Sequence, residues 1–372
     1  MSNSNLGLNR KISSVVSKNL TDTESDIYKQ ISEIVSEYGD EADEDSGIVA
    51  IIERGKDNVT EFKEKRITVI TQNMFSDFPN LTYLYLPNVT SIDGGAFSGC
   101  SNLISIDLPN VTSIGDSAFE SCTSLTSIDL PNITSISSRA FNNCTSLTSI
   151  DLPNVTSIGD SAFYSCSNLT SIDLPNVTSI GTDAFRSCTS LTSIDLPNVT
   201  RIGDSAFYSC SKLISIDLPN IISIGNDAFY SCSNLISIDL PNVTSISGSA
   251  FSSCTSLTSI DLPNVTIIGM NAFQGCTSLT SINLPNVIHI YVQVFHGCTN
   301  LSTVIISTNQ IIELDNYMVF DNTPISNKTG YIYVPDSLVN SYKSTSGWST
   351  YASQIKPISE LPQEYKTLYN IT

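Results

Sequence analysis

Basic residues and histidine are scarce in this chain: against 36 Asp and Glu stand 17 Lys and Arg and two His, a formal net charge of −19. So acidic a surface repels phosphate backbones and anionic lipid, which argues against nucleic acid or a membrane as partner. The two histidines, His289 and His296, read as exposed substitutions rather than ligands, because no Cys-x-x-Cys or His-x-x-x-His accompanies them. They also leave the many serines without a neighbouring base, and no phosphate-cradling glycine loop is seen. No apolar run approaches the roughly 20 residues a membrane span requires. Met1–Leu20 lacks a basic start followed by an apolar stretch, so neither a Sec signal nor membrane insertion is expected. With these classes set aside, the expectation is a chain that is no enzyme and holds no cofactor and no metal.

What the sequence has is regularity. Cysteine recurs at 100, 122, 144 and on to 298, ten times at a spacing of 22 without insertion or deletion. Phe97 to Phe295, Leu103 to Leu301 and Pro87 to Pro285 keep the same step. In the unit starting at Leu125, Leu125, Ile128 and Leu130 fall inward while Ser127 and Asp129 point out, the alternation of a strand. Pro131 and Asn132 turn the chain out of the sheet, and a short extended stretch follows through Ile133 and Ile136. The Gly159-Asp160-Ser161-Ala162-Phe163 element reads as a helical turn with a polar cap. One unit buries about eight apolar side chains and cannot fold alone, so coils must stack into one cooperative domain. Ten full units, Leu81 to Asn300, at about 4.8 Å per strand span roughly 45 to 50 Å.

The cysteines then read as small apolar side chains stacked on their own copies, a ladder of free thiols that suits a reducing folding compartment. Side chains projecting in parallel from adjacent coils have poor disulfide geometry. Val59–Asn80 reads as a degenerate first coil with Phe78 in the cysteine position and the charged run Glu61 to Arg66 facing water. Ahead of it, Thr21-x-x-Glu24 resembles a capping box before Ile27, Ile31, Ile34 and Tyr38, so an amphipathic helix is expected. It packs on the first coil or forms a coiled coil over residues 21–38 that oligomerises or docks the chain to other assembly proteins. Asp40 to Asp45 reads as a solvated linker. After Ile306 the pattern dissolves; Tyr331–Val334, Pro335 and Asp336 read as strand, proline and helix cap, with Leu338, Val339 and Tyr342 on the helix and Trp348, Tyr351 and Ile355 as apolar cover. The expected partition is an attachment segment over 1–58, a solenoid over 59–306 and a degenerate repeat with C-terminal cap over 307–372.

The unit L-x-x-I-x-L-P-N-V-T-S-I-G-x-x-A-F-x-x-C resembles the BspA-like class of leucine-rich repeats over roughly Val59 to Ile306. That resemblance implies a right-handed repeat solenoid of α/β type with a parallel sheet, short helical turns and end caps, and a role in adhesion to protein or matrix. The stretch from Gly330 to Asp336 and from Trp348 to Ile355 is similar to the C-terminal cap of repeat proteins encoded in phages and prophages of gut Firmicutes. It implies a virion protein of the phage tail, folded in the host cytoplasm and contacting the host surface. The alternatives are an adhesin at the bacterial cell surface that binds host protein or glycan, and a structural virion spacer.

Two columns are candidate ligand-binding surfaces. One is the outward aspartate of each strand, including Asp129, Asp151, Asp173, Asp195, Asp217 and Asp239 and ending in Asn283; it reads either as a hydrated solubilising face or as a weak site for divalent cations or basic ligands. The other is the variable position after Phe, where Tyr164, Arg186, Tyr208 and Tyr230 form a ridge suited to contact protein or sugar, or stack on one another over the turns. The recurrent Asn-Val-Thr satisfies the glycosylation pattern but reads better as turn Asn plus strand Thr.

Overall fold

The computed structural model describes residues 56–371 apart from 77 and 316. The expected helix over 21–38 and the acidic stretch after it lie outside the described residues. The chain divides into two compact units, Met1–Asn176 and Val177–Thr372. Each is a stack of coils built on parallel strands with little helix, and the fold class is a leucine-rich-repeat solenoid.

In the first unit, strands Glu61–Lys63, Tyr83–Tyr85 and Ser105–Asp107 pair in parallel with Phe62, Leu84 and Ile106 in line. Backbone bridges at Asp129, Asp151 and Asp173 continue the same line. A second row of two-residue strands, Val69–Ile70, Ser91–Ile92 and Ser113–Ile114, keeps the register of the repeat. Each Ile or Leu faces the core while its neighbours face out, so a shift by one residue would expose the whole apolar set. The first coil is degenerate but complete: Val59, Phe62, Ile67, Ile70, Phe75 and Phe78 are all buried. The charged run does not simply face water, because Glu64 is 4% exposed and holds Arg66 at 2.8 Å.

The second unit repeats the plan. Ser193–Asp195 pairs with Ser215–Asp217 and Ser237–Asp239 with Ser259–Asp261. The sheet ends in Ser281–Asn283, Thr303–Ile305, Tyr331–Val334 and Ile355–Pro357, and proline at the last strand withholds one donor from that edge. The C-terminal segment forms the strand Tyr331–Val334, a 3-10 turn Asp336–Leu338 and a short helix Val339–Ser344, so Leu338 lies in the turn ahead of the helix and not on it. Tyr342, Trp348, Tyr351 and Ile355 close the core. Asp336 does not cap that helix; its carboxylate accepts from the Ser359 hydroxyl and from the Ser359 N–H, the latter at 3.1 Å, and these bonds hold its pKa below the ordinary value.

The segment between strand rows is where the expectation of helical turns fails. Ser117, Ser121, Ser161 and Ser165 have φ of 54° to 60°, left-handed values that no α-helix contains. The N–H groups of Ser117, Phe119 and Ser121 donate to the carbonyls of Ser138, Ala140 and Asn142 in the next coil, at 2.9, 2.8 and 2.7 Å. Those of Ala118, Glu120 and Cys122 donate three residues back, at 3.3, 3.1 and 3.2 Å. Alternate amides thus stitch coil to coil, and the turn face is a third ladder in which every second donor leaves its own coil. Glycine at the corner has a steric cause: a Cβ on Gly159 would lie 2.8 Å from the Ser138 amide, and one on Gly225 would lie 2.5 Å from the Asp204 amide. Where serine stands in that column, at Ser137 and Ser247, its hydroxyl donates to the preceding coil's Ile114 or Ile224 carbonyl at 2.6 Å.

Candidate recognition surface

The interior fixes what the surface can display. Phenylalanine rings stack along each unit, Phe97 on Phe119 at 5.0 Å and Phe207 on Phe229 at 5.4 Å, with planes within 11° of parallel. All ten cysteines are buried as thiols, none of them in a disulfide. Their thiols are more than filler: Cys122 donates to the Phe97 carbonyl at 3.2 Å and Cys254 to the Phe229 carbonyl at 3.1 Å, a bond from each coil to the one before. Burial pushes the thiols up, to about 12 for Cys144, Cys210, Cys254 and Cys298, so thiolate chemistry is suppressed. The turn asparagines are engaged in the same way, whether or not threonine follows them, as Asn220 in Asn220-Ile221-Ile222 shows. Asn110, Asn154, Asn220 and Asn264 each donate Nδ2 to a proline carbonyl of the preceding coil at 2.7 to 2.8 Å, so turn and ladder account for the Asn-Val-Thr motif.

The strand face carries the aspartate column. Asp129 lies beside Asp151 and Asp151 beside Asp173 in the first unit; Asp195 lies beside Asp217 and Asp239 beside Asp261 in the second. All are exposed. Adjacent carboxylates at about 5 Å in water repel by roughly 1 kcal/mol, which salt screens. Among the described residues, no group of three His, Cys, Asp or Glu converges as a metal would need.

The column stops for a reason the sequence reading missed. Its next positions are Asn283, half-buried, and Ile305, fully buried, and the serine column beside it ends in buried Ser281 and Thr303. The C-terminal segment covers them: Ile358, Tyr365, Tyr369 and Ile371 pack on a cluster of Ile305, Tyr333 and Leu361, and the Tyr369 and Ser281 hydroxyls share a 2.8 Å bond. An apolar residue at an aspartate position was the available signal for this cover.

The turn face carries the variable position. Tyr164 is half-buried in the first unit. In the second, the Arg186 guanidinium lies 4.0 Å above the Tyr208 ring, and the Tyr208 and Tyr230 rings stack at 4.6 Å with planes 8° apart. Asp183 holds Arg186 at 3.2 Å. The three side chains form one column, half-buried. The histidines are not exposed substitutions. His289 is held between Asp315 at 2.7 Å and Glu313 at 3.3 Å, one on each ring nitrogen, and His296 is half-buried with Nδ1 lacking a partner. A single imidazole pinned through both nitrogens to different carboxylates does not gather ligands round one ion.

A profile of the BspA type leucine rich repeat region matches residues 68–188, 156–264 and 222–341. The chain belongs to this family. A solved leucine-rich repeat protein from Bacteroides ovatus is similar to it at 29% identity and a TM-score of 0.64, covering 82% of this chain and 85% of that one. Another, from Eubacterium ventriosum, is 25% identical with a TM-score of 0.51, covering 73% and 84%. A leucine rich cell surface protein from Faecalibacterium prausnitzii is 26% identical with a TM-score of 0.42, covering 80% and 86%. A search of curated proteins found no relative of this chain. These comparisons indicate no catalytic family. Among the described residues no helix is long and apolar enough to cross a membrane.

Proposed function

We propose that this BspA-type repeat protein is a non-enzymatic adhesin of the bacterial cell surface, holding a host protein or glycan on its turn face. One observation carries the reading. Core positions recur coil after coil, whereas the side chains that follow phenylalanine vary along the stack and, apart from buried Ser252, keep part of their surface in solvent, among them Tyr164, Arg186, Tyr208 and Tyr230. Variation confined to one displayed column of a fixed scaffold is how a solenoid acquires specificity. Aromatic and guanidinium groups are also the side chains that carry most energy in binding surfaces. The aspartate column, Asp129 to Asp239, serves in this reading as a hydrated flank. Attachment through residues 1–58, by docking or by self-association over 21–38, belongs to the same proposal.

The phage-tail reading, which leans on the C-terminal stretch, draws no support from the comparisons, which fit a surface protein at least as well. Quantitative mass spectrometry of washed cell envelopes beside purified phage particles from the source organism separates the two. The adhesin reading expects the chain in envelopes; stoichiometric recovery in particles would overturn it in favour of a virion component.

A further inference from the structure

We propose that the second strand row of the Val177–Thr372 unit is a self-association face, on which a second copy of this chain packs with its coils in reversed order. The inference goes beyond the turn-face reading and uses a different surface, so either can fail without the other.

Up to Ser179 this row is monotonous: five successive coils carry the same pair, from Thr90-Ser91 to Thr178-Ser179. Beyond it the copies diverge, as Thr200-Arg201, Ile222-Ser223, Thr244-Ser245, Thr266-Ile267, Ile288-His289 and Ile312-Glu313. Ile222 and Ile288 replace threonine and are 58% and 47% exposed; Ile267, Met270 and Tyr291 are also exposed in columns that elsewhere hold serine, glycine or short polar residues. On the strand face an apolar residue in a polar column, Ile305, lies under the C-terminal segment. Here the apolar residues lie open to solvent, and a cluster of them on a flat sheet face marks an interaction surface.

The register of the row makes these substitutions self-complementary. Positions one repeat apart lie in line, Arg201 between Ser179 and Ser223, and His289 between Ile267 and Glu313. Arg201 stands two coils before Ser245, and Glu313 two coils after Ile267. A two-fold axis along the strands, between the coils of Ser245 and Ile267, sets each column against itself and reverses the coil order. It brings exposed Arg201 to Glu313 of the second copy, and Ile222 to Ile288 of the second copy. The same operation sets Met270 over Gly248 and Tyr291 over Gly225, long side chains over columns that lack one. Gly248 is not demanded by its own coil, since Asp204 and Asn226 precede it in that column. One operation thus satisfies charge, apolar contact and shape. From Arg201 to Glu313 the strip is about 24 Å long at about 4.8 Å per coil, which is small for an interface, so the dimer is weak and reversible.

Neighbouring coils supply the first substitution, because threonine fills the Ile222 and Ile288 column at Thr200, Thr244 and Thr266. The full chain and its I222T/I288T, R201E, E313R and R201E/E313R variants, each checked by circular dichroism, are compared by sedimentation velocity over a range of concentrations. The wild type rises with concentration from 40.2 kDa towards twice that mass. Its association weakens in I222T/I288T, R201E and E313R by at least about tenfold each, while R201E/E313R, which restores opposite charges across the axis, returns to within about threefold of the wild type. A wild type that stays at 40.2 kDa throughout overturns the proposal. So does association that I222T/I288T leaves unchanged, which would place it on another surface such as residues 21–38. A double charge variant no tighter than R201E or E313R alone overturns the reversed pairing and the proposal with it.

Discussion

Replacing Cys254 separates two accounts of the cysteine ladder. The thiol is fully buried and donates to the Phe229 carbonyl at 3.1 Å, while that carbonyl also accepts from the Cys232 amide at 3.1 Å. Alanine removes one sulfur. The lost transfer energy is about 1 kcal/mol, the unfilled volume adds about 0.5 kcal/mol, and loss of a weak bond adds about 0.5 kcal/mol, so Cys254→Ala should destabilise by about 2 kcal/mol. Serine keeps a donor in nearly the same place and gives up mainly the apolar character of sulfur, so Cys254→Ser should cost about 1 kcal/mol. If the thiol only filled space, the serine hydroxyl would be buried without a partner and would cost about 2 kcal/mol beyond alanine. The order of the two variants therefore decides. Urea unfolding followed by far-ultraviolet circular dichroism measures it, and a midpoint for serine below that for alanine would refute the hydrogen-bonded ladder.

Other consequences follow from the same geometry. Gly225→Ala brings a Cβ within 2.5 Å of the Asp204 amide and should lower stability by about 2 kcal/mol; Gly225→Ser should cost less, since Ser247 shows the hydroxyl bonding back at 2.6 Å, and thermal midpoints rank the two. The thiols at about 12 in the fold ionise near 9 once exposed, so the unfolded state binds fewer protons between these values and stability falls as pH rises from about 9 towards 12. A midpoint that stays level across that range, or alkylation of the native thiols by iodoacetamide at pH 9, would contradict this. Removing residues 358–372 uncovers Ile305, Ser281 and Thr303, and a rise in binding of a hydrophobic dye at the sheet face is expected; an unchanged dye signal would show that the segment covers nothing.

The coil was legible because its period is fixed. Phe97, Leu103 and Cys100 recur at 22 residues, and any fold that buries one must bury its copies at the same depth. The turn face was misread because Gly159-Asp160-Ser161-Ala162-Phe163 has the composition of a helix start, while hydrogen bonds to the next coil decide its conformation. A signal was present: Gly99, Gly275 and Gly297 share a column with Ser121 and Asn143, and glycine recurring at one site marks a left-handed backbone, here at φ of 60° to 78°. The thiol bonds and the stacking of Arg186 on Tyr208 depend on side-chain direction, which spacing alone leaves open. Asn283 and Ile305 at aspartate positions were readable as covered, but the segment that covers them carries no repeat to align.

The central claim is that the turn face, and not the strand face, does the binding. Biolayer interferometry of the wild type, R186S/Y208S/Y230S and D217N/D239N against immobilised extracellular-matrix proteins and a glycan panel tests it most directly. The account predicts a wild-type ligand whose binding is lost in the ridge variant and retained in the strand variant; a ligand retained by the ridge variant and lost with the aspartates would contradict it.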